Sequence, residues 1–201
     1  MGLRERKKQE TRQLISDVAT VLFLERGFDA VTVAEVAVAA NVSTKTVFNY
    51  FPRKEDLFLD RFAELTALVT RAVAERPAGQ PVLHALRDLL LDLLARKHPL
   101  SGHAEPGYVN FWRVVIDSPA LQNRAREFVL ELEDLVARLF AEAEGIDPAS
   151  VRARFAGATA VAAYRTVFLT NAHRMTAGQP PAPDLPLTYR QLFAAVDRAI
   201  L

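Results

Sequence analysis

Thr44, Lys45, Thr46 and Asn49 crowd hydroxyl, ammonium and carboxamide groups into six consecutive positions of a 201-residue chain. On the outer surface of a helix, short or flexible hydrogen-bonding groups of this kind reach base edges and phosphates in a major groove. The chemistry they offer is recognition rather than bond making. No competing chemistry is visible: the sequence has no Gly-x-Ser-x-Gly, no glycine-rich phosphate loop and no His-Glu-x-x-His. The histidines His84, His98, His103 and His173 are scattered. His98 and His103 flank a Pro–Gly turn with no thiolate or carboxylate pattern to complete a metal site. Cysteine is absent, which removes disulfides, thiolate metal sites and cysteine nucleophiles. The residues imply no enzyme, no cofactor and no metal.

The elements that would hold the recognition groups are helical. Residues 4–26 carry Leu14, Val18, Ala19, Leu22 and Phe23 at helical spacing and stop at Gly27. Thr32 followed by Glu35 is a capping box that opens a short helix ending near Ala40 and Asn41, and Ser43 caps another running to Tyr50. Ala37 and Ala40 are small where the two helices must cross, and Val36, Val42, Val47 and Phe51 supply the apolar contacts. Asn41 falls where the turn calls for positive φ, which asparagine tolerates best after glycine. Two short helices joined by a tight turn form a helix-turn-helix. Charge agrees with this reading. Residues 1–54 hold nine Lys/Arg against six Asp/Glu, whereas the remaining 147 hold 16 against 18. A basic end suits a segment that meets a polyanion, and equally suits a solvated terminus.

Thr32, Val36, Ala37, Ala40, Val42, Ser43, Thr46, Val47, Tyr50, Phe51, Lys54 and Leu57 stand in one register, preceded by a helix ending Phe23–Gly27–Phe28. In this register residues 11–62 resemble the DNA-binding region of the TetR family of transcriptional regulators. Three positions depart from the family pattern: Asn41 replaces the usual turn glycine, Phe48 the usual tyrosine, and Arg53 the usual small cap. The resemblance implies that Thr32, Tyr50 and Lys54 bind phosphates, with Lys54 near a helix N-terminus. It implies that Thr44, Lys45, Thr46 and Asn49 face the groove, with Lys45 reading a guanine. Arg4, Arg6, Lys7 and Lys8 would form an arm on the adjacent backbone or minor groove, or else a solvated terminus.

The expected fold is all-α. A helix-turn-helix DNA-binding domain over 1–53 precedes a helical ligand-binding and dimerisation domain over 54–201. A long helix over 54–75, following Pro52, would belong to both halves and couple them. Beyond the linker 76–81, helices are expected over 81–97, 106–116, from Pro119 to Gly145, from Asp147 to about Met175, and over 187–201. A single helix-turn-helix reads few bases, so a homodimer on a two-fold double-stranded operator is expected. The small residues of 156–163 and the stripe Tyr189, Leu192, Phe193, Val196 and Ile200 suggest that the last two helices form its four-helix interface, as the resemblance also implies. The same stripes would serve as well inside one subunit. A small-molecule pocket is expected among Tyr108, Phe111, Trp112, Tyr164 and Phe168, with His84, Asn110, Arg113 and Arg165 as polar anchors. Aromatic residues at such spacing equally serve as core. Family habit suggests an elongated, apolar or acyl-thioester effector, and a repressor released by it. No apolar run reaches the roughly 18 residues needed to span a bilayer, and the charged start lacks a signal peptide's apolar core, so a cytoplasmic protein is expected.

Overall fold

The computed structural model describes residues 2–103 and 108–200. Among the described residues all regular structure is helical. Ten α-helices follow in order: α1 Leu3–Arg26, α2 Val33–Ala39, α3 Thr44–Tyr50, α4 Lys54–Phe58, α5 Arg61–Ala74, α6 Val82–Ala95, α7 Val109–Asp117, α8 Pro119–Glu144, α9 Val151–Thr176 and α10 Leu185–Ile200, with a 3-10 turn at Pro99–Ser101. None is long and apolar enough to cross a membrane. The chain forms two compact units. One comprises Met1–Asp60 with Asn110–Ala125, the other Arg61–Val109 with Arg126–Leu201. The division falls after Asp60, beyond the boundary after Arg53 expected from sequence, and the segment from Asn110 joins the first unit.

The first unit closes around Ile15, Ala19, Phe23, Val31, Val36, Val47, Phe51 and Leu57, all fully or almost fully buried. Phe23 packs on Phe28 at 4.9 Å and edge-on to Phe58 at 5.6 Å. Phe111 of α7 stacks on Phe58 at 4.6 Å, and Arg124 Nε donates to Asp56 Oδ1 at 2.8 Å. These contacts tie the segment 110–125 to α4.

The expected continuous helix over 54–75 is two helices. Phe58, Phe62, Leu65, Val69 and Val73 do fall at helical spacing, which is why the sequence reads as one element. The break comes at Leu59 and Asp60, because Leu57, Phe58 and Leu59 are all buried, more than one helical stripe can cover. The Ser16 hydroxyl then donates to Asp60 Oδ2 at 2.6 Å, holding the end of α4 against α1.

In the second unit Leu65, Val69, Leu86, Leu90, Leu132, Val136 and Phe193 belong to one apolar core. Gly145, at φ 64°, ends α8. α9 starts at Val151 rather than at Asp147, since Asp147 turns the chain by accepting from Ala149 N at 2.8 Å while Ser150 caps the helix. The small stripe of α9 is used inside the chain. A Cβ on Gly157 would lie 2.4 Å from Glu133 O and 3.0 Å from Ala137 N, so α8 and α9 cross almost backbone to backbone there. The α10 stripe is also internal: Tyr189, Phe193, Val196 and Ile200 are buried. Two buried polar side chains pin the turn before residue 104. Asn171 Nδ2 donates to Gly102 O at 2.7 Å while its Oδ1 accepts from Ala182 N at 2.8 Å. The Tyr189 hydroxyl donates to Ser101 O at 3.1 Å, and burial raises its pKa above the ordinary tyrosine value.

Candidate nucleic-acid interface

Local hydrogen bonds define both helices of the helix-turn-helix. Glu35 N donates to Thr32 Oγ1 at 3.2 Å, and Thr32 N donates to Glu35 Oε2 at 2.8 Å, completing the capping box. Arg26 Nη2 donates to Glu35 Oε1 at 2.7 Å. These donors, the Thr32 N–H first, pull the Glu35 pKa from 4.5 down to about 2. The end of α2 is a Schellman motif: Val42 N donates to Ala37 O at 2.9 Å and Asn41 N to Val38 O at 3.1 Å, with Asn41 at φ 53°. Asparagine thus takes the left-handed conformation usually left to glycine. Ser43 then caps α3 by accepting from Thr46 N at 3.0 Å.

With Val47 and Phe51 buried beneath it, α3 exposes Thr44, Lys45, Phe48 and Asn49. Thr46 is half-buried and shares a 2.7 Å hydrogen bond with the Ser43 hydroxyl, so it is less available than its neighbours. Tyr50 is half-buried. Thr32 is exposed, but its hydroxyl is engaged with Glu35 at 2.8 Å. Lys54 turns toward its own chain. Its Nζ donates to Phe28 O at 2.6 Å and lies 4.2 Å from the centre of the Phe28 ring. Burial lowers its pKa, partly offset by Asp29, Glu55 and Glu35. An ammonium has three donors, so this anchoring leaves capacity for a phosphate.

Two residues join this surface to which the sequence assigned no contact. Phe48, 46% exposed, stands one helical turn after Thr44 and offers an apolar surface of the kind that meets a thymine methyl. Its spacing was the available signal. Arg12 lies over the buried Phe51 ring, 4.6 Å from its centre, which brings α1 to the end of α3. No local pattern signals that contact. Arg4, Arg6, Lys7 and Lys8 belong to the first turns of α1, so the expected arm is helical and exposed.

The expected pocket residues are divided between the two units. Phe111 and Trp112 lie in the first unit, their rings edge to face at 5.5 Å. His84, Tyr108, Tyr164 and Phe168 belong to the second. His84 Nε2 is 2.6 Å from Asp197 Oδ2, linking α6 to α10. Tyr108 is half-buried, and the Tyr164 and Phe168 rings lie 5.3 Å apart. Asn110, Arg113 and Arg165 are exposed. Tyr164 alone of the set lines the small apolar cavity of the second unit, about 30 Å³, together with Leu65, Leu86, Leu132, Val136 and Phe193. Such a volume accommodates about one water molecule.

Residues 15–60 match the family described as bacterial regulatory proteins, tetR family. The HTH-type transcriptional regulator TcmR of Streptomyces glaucescens is 31% identical over 148 residues, covering 73% of this chain and 66% of TcmR. The nucleoid occlusion factor SlmA of Pasteurella multocida is 30% identical over 139 residues, covering 64% of this chain and 65% of SlmA. The chain thus spans just under two thirds of the length of these relatives. Among solved structures, the Thermus thermophilus repressor FadR in complex with lauroyl-CoA superposes with a TM-score of 0.55 at 26% identity, covering 94% of this chain and 95% of FadR.

Proposed function

The chain belongs to the TetR family, and on that premise we propose that it is a cytoplasmic, ligand-responsive repressor that binds a palindromic operator as a homodimer. The observation that carries the proposal is the outer face of α3, where Thr44, Lys45, Phe48 and Asn49 are exposed on a short helix capped by Ser43. Lys45 donates to guanine O6 and N7, and Asn49 pairs with adenine N6 and N7. Thr44 and Phe48 meet thymine methyl groups. Thr32, Tyr50 and Lys54 position the helix on phosphates, and Thr46 faces the groove beside Lys45.

Each recognition helix reads only a few bases, so two subunits act on half-sites about 34–36 Å apart. The apolar α10 stripe is spent inside the chain, so the dimer uses the outward side of the same helices. Val151, Phe155 and Leu169 of α9 and Leu187 of α10 remain exposed there. The effector is small and apolar. This follows the apolar wall of the second unit's cavity and the apolar lauroyl chain of the lauroyl-CoA bound by FadR. At about 30 Å³ the cavity must open to admit it, and only a ligand that favours the opened state can release the operator.

The test is selection of bound sequences from random duplex DNA, with Lys45→Ala and Asn49→Ala in parallel. A palindrome is expected from the wild type, with relaxed preference in each variant at the base it reads, worth about 1–3 kcal/mol per contact. Absence of enrichment, or variants that recover the same sequence with undiminished stringency, would refute the assignment.

A further inference from the structure

We infer that the N-terminal turns of α1 are a second, sequence-independent part of the DNA interface, in which Arg4, Lys8 and Arg12 form a rigid ridge on the phosphate backbone. The inference rests on the proposed operator binding and extends the interface beyond α3. Three observations carry it.

The first is the phase of the helix. At about 100° per residue, Arg4, Lys8 and Arg12 fall within an arc of about 80°, and Ile15 and Ala19 fall in the same arc. Ile15 and Ala19 are fully buried, whereas residues 4–10 are exposed. The core-facing side of α1 therefore projects beyond the core it packs on, and where it projects it turns from apolar to basic. The second is the anchor. The Arg12 guanidinium sits 4.6 Å from the centre of the buried Phe51 ring, and Phe51 N closes α3 by donating to Val47 O at 2.9 Å. The ridge thus starts at the end of the helix that presents Lys45 and Asn49. From Arg12 to Arg4 it runs roughly 12 Å along the axis.

The third is the distribution of the remaining charges. Arg6 points away from the arc and pairs with Glu10 at 3.5 Å. Lys7 lies off the arc on one side and Glu5 at its other edge, leaving the arc itself basic. The Thr11 hydroxyl donates to Lys7 O at 2.9 Å, inside the helix. A helical ridge places one cation about every 6 Å along its axis, and duplex DNA offers one phosphate charge per roughly 1.7 Å, so the ridge finds partners whatever the sequence. An extended arm reading the minor groove would require these residues to leave the helix.

The test is the salt dependence of binding by the full chain. The probes are the duplex recovered by the selection above and an unrelated duplex of equal length. Each lost phosphate contact reduces the slope of log K against log salt by about 0.9, so Arg4→Gln with Lys8→Gln reduces it by about 1.8 per subunit. Between roughly 50 and 200 mM salt that amounts to about 12-fold per subunit, or about 150-fold for the two subunits of the dimer, and adding Arg12→Gln brings these to about 40-fold and about 1,800-fold. Both probes should be affected alike and the selected sequence should not change. Arg12→Lys keeps the charge and should keep the slope, and the Arg4/Lys8 pair removes charge without touching the core. A wild-type slope in the Arg4/Lys8 variant, with the wild type still selecting its operator, overturns the ridge and leaves the operator reading standing. A changed selected sequence overturns it in favour of base readout by the same residues. A wild type that enriches no duplex removes both.

Discussion

Replacing Gly157 by alanine asks whether the small residues of α9 serve the interior of one chain. In helix interiors this exchange ordinarily stabilises by about 1 kcal/mol, because alanine is the better helix former. Here the added methyl would lie 2.4 Å from Glu133 O, 3.0 Å from Ala137 N and 3.1 Å from Ala137 Cβ. Two of those three atoms are backbone and cannot swing aside, so α8 and α9 must separate along their crossing. Overpacking of a well-filled core costs about 1–3 kcal/mol, and a backbone obstruction belongs at the upper end. Set against the propensity gain, the net loss is about 2 kcal/mol. For a chain of this size that lowers Tm by roughly 4–8 °C. Thermal melting followed by circular dichroism reads the shift, and sedimentation measures the assembly state in the same samples. An unchanged or raised Tm would refute the crossing geometry. A variant that melts like the wild type yet dissociates where the wild type stays paired would place the stripe at the subunit interface instead.

Asn171→Ala should lower stability by about 3 kcal/mol in urea titration, since it strands the buried Gly102 carbonyl and the Ala182 N–H together. A loss under about 1 kcal/mol would mean that the side chain is not what holds those turns. Glu35 yields a pH dependence of definite sign. Its folded pKa of about 2 lies below the ordinary 4.5, so its contribution is complete above pH 4.5 and disappears as the pH falls toward 2. The difference in urea midpoint between wild type and Glu35→Gln should therefore be full at neutral pH and shrink across that acidic window. A gap that widened on acidification would contradict the capping geometry.

The helix-turn-helix was legible in the sequence because everything that defines it is local. The Thr32–Glu35 box, the Asn41 turn at φ 53° and the Ser43 cap all act within a few residues, so residue type and spacing suffice to place them. With those ends fixed, helical geometry alone puts Val47 inward and Lys45 and Asn49 outward. Periodicity elsewhere announced that a face is buried without saying against what. The stripe Tyr189, Phe193 and Val196 suits a subunit interface or a core equally, and only packing assigns it to the core of its own chain. The break between α4 and α5 depends on Ser16 reaching Asp60, and the anchoring of Arg12 depends on Phe51, partners distant in sequence. Phe111 and Trp112 read as pocket walls by composition, whereas stacking of Phe111 on Phe58 assigns them to the first unit. What the sequence by itself determined is α3, its caps and the all-helical class, which follow from interactions one turn long. What only the tertiary structure decided is which buried face meets which, because apolar attraction is non-directional and its partners are chosen by shape once the helices pack.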